Sequence, residues 1–303
     1  MIKVIASDMD GTLLGDDHRI APGTLEAVKE AVNAGIRFML STGRNFPGAM
    51  EELEGEDLVC DYIVSSGAEV RDPEQRIILT YPMSMELCRR VYSVIREYPI
   101  SMVICTDGCD YRIGTDEEVE ESILMEAMLF HMDTDRDAVR RTPVFQRMKK
   151  RTRAAASLDE LEENGVPVYK LFLFTEDREM LAQIGKKLEP DREIAVASSF
   201  PTNLEITDVR AQKGPVLREY AASLGYTMDE IMVLGDSLND LSMISMDFGA
   251  TVAMENADPE VKQAAKYITK SNEDLGVAYA IRELLKRQAK LRGDNGSPGG
   301  ESL

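Results

Sequence analysis

The sequence predicts an α/β protein in which a parallel-sheet core is interrupted by an inserted α+β domain. Near both ends of the chain, short apolar segments without helical periodicity alternate with amphipathic segments, a pattern typical of parallel sheets. Between residues 83 and 199, short strands and helices follow one another in a different order. The 303 residues are also enough for two domains, or for one domain with a large insertion.

The first predicted strand, residues 2–6, leads directly into two carboxylates, Asp8 and Asp10, which Gly11 follows. Residues two apart on an extended backbone point to the same side, and the glycine lets the chain turn away afterwards. Like charges this close raise each other's pKa unless a cation lies between them. The pair therefore indicates a bound divalent metal.

A helix over residues 24–34 and a strand over residues 36–40 complete a β-α-β unit, whose two strands are parallel. The second strand ends at the segment Ser41-Thr42-Gly43-Arg44. In such sheets, ligands bind at the carboxyl ends of the strands. We therefore expect Asp8 and Thr42 to lie on the same edge of the sheet.

The remaining core elements are predicted from the same periodicities and end signals. Before the insertion we predict a helix over residues 46–53, a strand over 62–64 and a hairpin over 70–81. After it we predict a helix beginning at Lys213, strands over 231–234, 250–253 and 267–269, a helix over 260–265 and a closing helix over 275–290. The core then comprises residues 1–82 and 200–291, and the Gly-, Pro- and Ser-containing tail, residues 292–303, is predicted to be disordered.

The inserted domain covers residues 83–199 in this prediction. It contains helices over 86–98, 117–132 and 179–188, a further helix beginning near Ser157, two strands within 102–113, and strands over 169–174 and 194–198. Met125, Met128 and Met132 form a stripe that we interpret as core of this domain. We interpret the basic run over residues 147–153 as a solvated face.

The composition argues against several classes of partner. The net charge of −19 and the pI near 4.6 disfavour binding to nucleic acid or to an anionic membrane, because both depend on clustered Lys and Arg. No apolar run has the length of a membrane span and the N-terminus lacks the pattern of a signal peptide, so we expect a cytoplasmic protein. Four cysteines without a CxxC pair, and only two histidines, argue against a zinc site.

A third polar cluster, Gly235-Asp236-Ser237-Leu238-Asn239-Asp240, follows the strand over residues 231–234. Lys213 lies at a helix start, where backbone N–H groups favour an anion. Mg²⁺ prefers hard oxygen ligands, which two or three carboxylates and a substrate phosphate supply. Together with Asp8 and Asp10, these residues predict a phosphate site built around Mg²⁺.

The motifs that are missing narrow the chemistry. The chain has no GxxxxGKS/T loop, no GxGxxG turn after a strand and no GxSxG elbow. Because no Ser or Cys nucleophile motif is present, the nucleophile is a carboxylate or a metal-bound water. A carboxylate at the end of the first strand is the better candidate.

The four segments resemble, in order, the four motifs of haloacid dehalogenase (HAD) superfamily phosphatases of the Cof-type, class IIB capped group. Asp8-Met9-Asp10-Gly11-Thr12 resembles the first motif (DxDGT), Ser41-Thr42-Gly43-Arg44 the second, Lys213-Gly214 the third and residues 235–240 the fourth (GDSxND). The position of the insertion, between the second and third motifs, also matches. The resemblance covers residues 1–290 and implies a Rossmann-like, HAD-like core with a C2-type cap.

The resemblance also implies roles for the matching residues. Asp8 would be the nucleophile that forms an aspartyl-phosphate, and Asp10 the general acid and base. The implied Mg²⁺ ligands are Asp8, Asp10 through its backbone carbonyl, and Asp236, with Asp240 acting mainly from outside the ligand sphere. The implied phosphate-binding residues are Met9, Thr42, Gly43, Arg44, Lys213 and Asn239. Whether Arg44 reaches the substrate or pairs with a carboxylate stays open.

Three segments depart from the pattern of the family. Asp208-Val209-Arg210-Ala211-Gln212 differs from the usual Gly-Val-Ser-like run before the lysine, which affects the expected loop shape but not Lys213. Glu255 stands where the family usually has Gly, which puts an additional negative charge near the edge of the site. Ser65-Ser66-Gly67-Ala68 replaces a more frequent Asn-Gly-Ala segment, so we expect an amide contact to be missing.

The predicted function is a Mg²⁺-dependent phosphatase that acts on small phosphorylated metabolites, sugar phosphates or related phosphomonoesters, as a monomer or weak homodimer. Three alternatives stay open. A phosphomutase or phosphotransferase on the same scaffold would transfer the phosphate to a second hydroxyl. A catalytically silent metabolite-binding protein would show no Mg²⁺-dependent turnover. A signalling receiver also phosphorylates an Asp, but a nucleophile on the first strand and the large insertion argue against it.

Overall fold

The computed structural model describes residues 1–131 and 134–294. Its strands are β1 (Val4–Ser7), β2 (Arg37–Ser41), β3 (Asp61–Val64), β4 (Glu69–Arg71), β5 (Ile77–Thr80), β6 (Ser101–Thr106), β7 (Asp110–Ile113), β8 (Thr152–Ala155), β9 (Val168–Phe174), β10 (Ile194–Ala197), β11 (Asn203–Asp208), β12 (Ile231–Gly235), β13 (Ala250–Ala253) and β14 (Tyr267–Ile268). Its helices are α1 (Pro22–Asn33), α2 (Phe46–Glu52), α3 (Met85–Ile95), α4 (Asp116–His131), α5 (Arg136–Arg140), α6 (Pro143–Arg151), α7 (Leu158–Glu163), α8 (Arg178–Leu188), α9 (Lys213–Ser223), α10 (Leu241–Ile244), α11 (Pro259–Ala264) and α12 (Gly276–Asp294).

The first sheet has eight strands in the order β14-β13-β12-β1-β2-β3-β4-β5. Six of them are parallel, and β4 and β5 add an antiparallel hairpin at one edge. All four residues of β1 are buried, as is typical of a central strand that is covered on both faces. This arrangement confirms the predicted α/β class with its parallel-sheet core.

The second sheet has six strands in the order β10-β11-β9-β6-β7-β8, and only the β7–β8 pair is parallel. One face carries apolar side chains, among them Ile104, Leu171 and Ile206, and packs against α3, α7 and α8. Helices α4 to α6 form a smaller apolar cluster around Phe145. Side chains on the opposite face of the sheet line a cleft that also contains Asp8.

Strand β11 belongs to the second sheet, where it lies between β10 and β9. The sequence prediction instead places residues 200–208 with the core. The alternation of polar and apolar residues over 203–207, after a turn-rich segment, is a strand signal that the prediction did not use.

The C-terminal tail also begins later than predicted. Helix α12 continues to Asp294, so residues 292–294 are helical. The residues just before them, Ala289, Lys290 and Leu291, are strong helix formers that favour this extension. The rest of the predicted tail, residues 295–303, lies outside the described residues. Within the described ranges, no helix combines the length and the apolar character needed to span a membrane.

Two interpretations of the inserted domain are wrong in part. The basic run forms the end of α6 and the start of β8, but Arg151 lines the cleft and donates to Glu51 at 3.0 Å, so it is not merely solvated. Met125 is half exposed, whereas Met128 packs against the Phe145 cluster as predicted. Met132 lies outside the described residues.

Candidate active site

The predicted site residues begin at the carboxyl ends of three adjacent parallel strands. Ser7, the last residue of β1, is paired with Leu40 on β2 and with Leu234 on β12. The residues that follow these strands must therefore emerge along the same edge of the sheet. This register brings together Asp8, the segment after Ser41 and the segment after Gly235, as the sequence predicts.

A buried lysine joins the nucleophile candidate to the fourth motif. The Nζ of Lys213 donates to Oδ1 of Asp8 at 2.5 Å and to Oδ1 of Asp240 at 2.7 Å. Lys213 begins α9, and a side chain at the next residue, Gly214, would collide with the backbone of Ser242, so the glycine lets α9 approach α10 closely. The Lys213 ammonium therefore lies among carboxylates rather than at the surface.

Asp236 is fixed by hydroxyl groups on both of its oxygens. Thr12 Oγ1 donates to Oδ1 at 2.6 Å, and Ser237 Oγ donates to Oδ2 at 3.0 Å. The turn after Asp10 makes this approach possible, because Gly11 has a φ of 75° and a side chain there would lie 2.5 Å from Asp236 Oδ2. Thr12 thus positions a predicted metal ligand, a role that its place in the first motif could have indicated.

The acidic cluster has the charge and the spacing of a cation site. One carboxylate oxygen each from Asp8, Asp236 and Asp240 can be chosen so that all three lie within 4.8 Å of one another. Burial raises the pKa of Asp8 well above its usual value, and the neighbouring Asp240 raises it further against the opposing effect of Lys213. Burial and Asp240 likewise raise the pKa of Asp236 to about 7. One lysine does not balance three buried carboxylates, so the donor set fits a divalent cation with oxygen ligands.

Asp240 already accepts three hydrogen bonds from the protein. Its Oδ1 accepts from Lys213, and its Oδ2 accepts from the backbone N–H groups of Asp236 and Ser237 at 2.9 and 3.0 Å. These bonds favour Asp8 and Asp236 as direct ligands, with Asp240 shaping the loop that carries Asp236.

Asp10 is paired with the arginine of the second motif. Nε and Nη2 of Arg44 donate to the two carboxylate oxygens of Asp10, and Nη1 donates to Glu52 at 2.6 Å. His18 also lies near, with Nδ1 4.0 Å from Asp10 Oδ1. Of the two roles left open for Arg44, the structure shows the pairing with a carboxylate.

The other predicted phosphate-binding residues lie around Gly43. Thr42 is buried, and its Oγ1 accepts from the N–H of Arg44 at 3.2 Å. The Oδ1 of Asn239 is buried and, within the described residues, has no hydrogen-bond partner. The side chain of Met9 is fully buried in the apolar core, so only its backbone can contribute to a phosphate site.

The inserted domain reaches this site through a buried ion pair that the sequence reasoning missed. Lys170 Nζ, from β9, donates to the carbonyl of Gly43 at 2.8 Å and to Glu205 Oε2, from β11, at 3.0 Å. Ser66 Oγ also donates to Glu205 Oε2, at 2.6 Å. A charged residue inside an otherwise apolar strand, as in Tyr169-Lys170-Leu171, is the signal that could have revealed the pair.

The core and the inserted domain enclose a cleft of about 1760 Å³. Six of the predicted site residues line it, namely Asp8, Asp10, Gly43, Arg44, Asp236 and Asn239. Met9, Thr42, Lys213 and Asp240 are buried behind its surface. A small molecule that contacts Asp8, Asp10 or Asp236 in this cleft therefore also lies near residues of the inserted domain.

Comparison with known proteins agrees with this geometry. Residues 5–281 match the family of haloacid dehalogenase-like hydrolases. The chain belongs to this family. It is 30% identical to the 5-amino-6-(5-phospho-D-ribitylamino)uracil phosphatase YwtE of Bacillus subtilis, with 95% of this chain and 99% of the relative aligned. It is 26% identical to the pyridoxal phosphate phosphatase YbhA of Escherichia coli, over 92% of this chain and 97% of the relative.

A solved structure extends the comparison to three dimensions. A haloacid dehalogenase-like hydrolase from B. subtilis superposes with a TM-score of 0.80 at 26% identity, covering 93% of this chain and all of that one. The resemblance of the four motifs to this family is thereby confirmed. The protein is a haloacid dehalogenase-like hydrolase that acts on phosphate esters of small molecules.

The departures noted in the sequence have structural counterparts in this hydrolase. Ser65 and Ser66 both have positive φ angles, 51° and 60°, which are costly for residues with a side chain. Ser66 nevertheless supplies the hydroxyl that bonds to Glu205. Glu255 is exposed beyond the end of β13, and its neighbour Asn256 donates to the carbonyl of Gly11 at 2.8 Å.

Proposed function

We propose that the protein is a Mg²⁺-dependent phosphatase that hydrolyses small phosphorylated metabolites through an aspartyl-phosphate on Asp8. The observation that carries the proposal is the contact of Lys213 with Asp8 inside the cluster of Asp8, Asp236 and Asp240. A nucleophilic carboxylate beside a buried ammonium and a cation site has the charge balance that phosphoryl transfer requires.

In the first step, an oxygen of Asp8 attacks phosphorus and the bond to the leaving oxygen breaks. Asp10 gives its proton to that oxygen, so the product leaves as a neutral alcohol. In the second step, Asp10 takes a proton from water as the water oxygen attacks phosphorus. This step releases inorganic phosphate and restores Asp8.

The protein's own groups hold the phosphoryl oxygens during both steps. In this proposal the Lys213 ammonium, the Thr42 hydroxyl, the Gly43 backbone N–H and the Asn239 side chain bind them. Asp8, the Asp10 carbonyl and Asp236 would hold Mg²⁺, which neutralises part of the phosphate charge. The side-chain NH₂ group of Asn239 would donate to a phosphoryl oxygen, and the place of Asn239 in the lining of the cleft supports this role.

The substrate class rests on the cleft and on the relatives. The cleft has room for a small metabolite beside Asp8 and Asp10. YwtE and YbhA are named for phosphate esters of small molecules. We further propose that the protein is cytoplasmic and is a monomer or weak homodimer. We propose no nucleic-acid or membrane partner, because the net charge of −19 disfavours binding to nucleic acid and to anionic membranes. We divide it into a catalytic core and a cap over residues 83–208.

The simplest test is phosphate release from p-nitrophenyl phosphate by the intact protein, with Mg²⁺ and with EDTA. We expect turnover only with Mg²⁺, and none above background for Asp8→Asn. Absence of activity in the intact protein, or full activity of Asp8→Asn, would contradict the proposal. Appearance of the phosphate on a second hydroxyl instead of in water would indicate a phosphotransferase.

A further inference from the structure

Four phenylalanines line the part of the cleft that belongs to the cap. These residues, Phe130, Phe172, Phe174 and Phe200, are called the phenylalanine wall below. The ring centroid of Phe130 lies 6.1 Å from that of Phe172 and 5.8 Å from that of Phe200, and Phe172 and Phe174 are 6.2 Å apart. The four rings form one continuous aromatic surface contributed by α4, β9 and the loop before β11.

The wall is separate from the apolar core of the cap. On β9, Leu171 and Leu173 point into the core, whereas Lys170, Phe172 and Phe174 alternate with them and line the cleft. The neighbouring strand β11 shows the same alternation. Its residues Glu205 and Asn203 pair with Phe172 and Phe174 and also line the cleft. Phe200 is 52% exposed, so the wall keeps aromatic surface open to the cleft.

One ammonium group connects the wall to the phosphate-binding loop. Lys170 Nζ lies 2.8 Å from the carbonyl oxygen of Gly43 and 5.7 Å from the ring centroid of Phe172. Lys170 therefore lies close to both the second motif and the phenylalanine wall. A leaving group attached to a phosphate at that motif would share the cleft with the wall.

Polar groups accompany the rings. Asp110, Glu126 and Arg151 line the same cleft, and the Nε of Arg151 is buried and has no hydrogen-bond partner among the described residues. An unpaired buried donor favours a ligand that carries an acceptor. The combination of aromatic faces with a few polar groups suits a planar ring that bears polar atoms at its edge.

We propose that the phenylalanine wall binds a planar aromatic ring of the leaving group, so that this enzyme prefers phosphomonoesters of heterocyclic aromatic alcohols over those of simple sugars. This inference rests on the proposed phosphatase function. Aromatic rings gain from offset or edge-to-face contacts with phenylalanine. The hydroxyl groups of a sugar would instead lose water against rings that offer them no hydrogen bond.

The test compares pyridoxal 5′-phosphate with glucose 6-phosphate, because each carries its phosphate one methylene group away from a six-membered ring. Acetyl phosphate, which has no ring, reports on the core chemistry alone. We expect kcat/KM for pyridoxal 5′-phosphate to exceed that for glucose 6-phosphate by at least about tenfold. The variant Phe200→Leu should reduce this ratio by about tenfold, and Phe200→Tyr should largely restore it.

The matched control is Tyr279→Leu, which removes an equally exposed aromatic ring outside the cleft and should leave the ratio unchanged. If none of acetyl phosphate, p-nitrophenyl phosphate and the two ring substrates is hydrolysed, the proposed function itself fails. If acetyl phosphate is hydrolysed but glucose 6-phosphate is as good a substrate as pyridoxal 5′-phosphate, the wall does not select aromatic leaving groups. The same conclusion follows if Phe200→Leu lowers both kcat/KM values in equal proportion.

Discussion

Arg44 holds the Asp10 carboxylate by both of its oxygens, with Nε 2.8 Å from Oδ2 and Nη2 2.7 Å from Oδ1. Such a bidentate pair fixes the plane of the carboxylate as well as its position. Glu52 holds the third guanidinium nitrogen, so Arg44 is itself anchored to α2. We therefore expect Arg44 to position Asp10 rather than to bind phosphate in this conformation, and one of the two bonds must open when Asp10 carries the proton that it gives to the leaving oxygen.

The first prediction concerns Arg44→Lys. The lysine keeps the charge but cannot form the bidentate pair, so we expect kcat to fall by about tenfold or more with little change in KM. Steady-state kinetics with p-nitrophenyl phosphate measure both constants. A rise in KM with kcat unchanged would show instead that Arg44 binds the phosphoryl group.

The second prediction concerns Asp10→Asn. An amide can neither protonate the leaving oxygen nor take a proton from the attacking water, so turnover should fall by about 10²- to 10⁴-fold. The loss should be smallest for a substrate with a good leaving group such as p-nitrophenol, which needs little protonation. Equal losses for p-nitrophenyl phosphate and for an alkyl phosphate would argue against the role of acid.

The third prediction concerns the stability of the site without metal. In Lys213→Met the carboxylates of Asp8 and Asp240 lose their buried counter-charge, so we expect unfolding to become easier by about 3–5 kcal/mol in EDTA. Added Mg²⁺ should recover part of this loss. Urea denaturation of wild type and Lys213→Met, with EDTA and with Mg²⁺, measures the difference in free energy of unfolding. The control is Lys29→Met, which breaks only an exposed pair with Asp57 and should change the stability by less than about 1 kcal/mol.

The fourth prediction concerns the buried Lys170–Glu205 pair. Removing one partner leaves a buried uncompensated charge, so Lys170→Met should cost about 3–5 kcal/mol. The double variant Lys170→Met, Glu205→Gln should cost less than the two single variants together. The exposed pair of Lys187 and Glu97, also in the cap, is the control and should show almost no coupling in the same cycle. Additive losses at Lys170 and Glu205 would contradict a direct interaction.

The fifth prediction is a pH dependence of the same pair. Burial alone would raise the pKa of Glu205, but the charge of Lys170 and the hydrogen bonds from Ser66 and Ser199 outweigh it and lower the pKa from 4.5 to about 2. A lowered pKa in the folded protein stabilises it above the unfolded-state pKa, and this stabilisation is lost as the pH falls from about 4.5 to 2. The difference in urea midpoint between wild type and Glu205→Gln should therefore shrink over that range. A constant difference would show that Glu205 does not titrate there.

The sequence by itself determined the class of the fold and the location of the chemistry. Asp8 and Asp236 each follow a short apolar segment, and the carboxyl ends of adjacent parallel strands meet at one edge, so local pattern was enough to bring them together. The alternation in β11 was available in the sequence, but the burial of Glu205 was not, because it depends on Lys170, which lies 35 residues earlier on another strand.

Only the tertiary structure decided the pairing of Arg44 with Asp10, the bond from Lys213 to Asp240 and the contact of Lys170 with Gly43. It also decided that Phe130, Phe172 and Phe200 share one face of the cleft. Each of these relationships depends on where side chains from distant segments meet. Periodicity reports which face of a strand or helix a residue lies on, but not which residue of another element it faces.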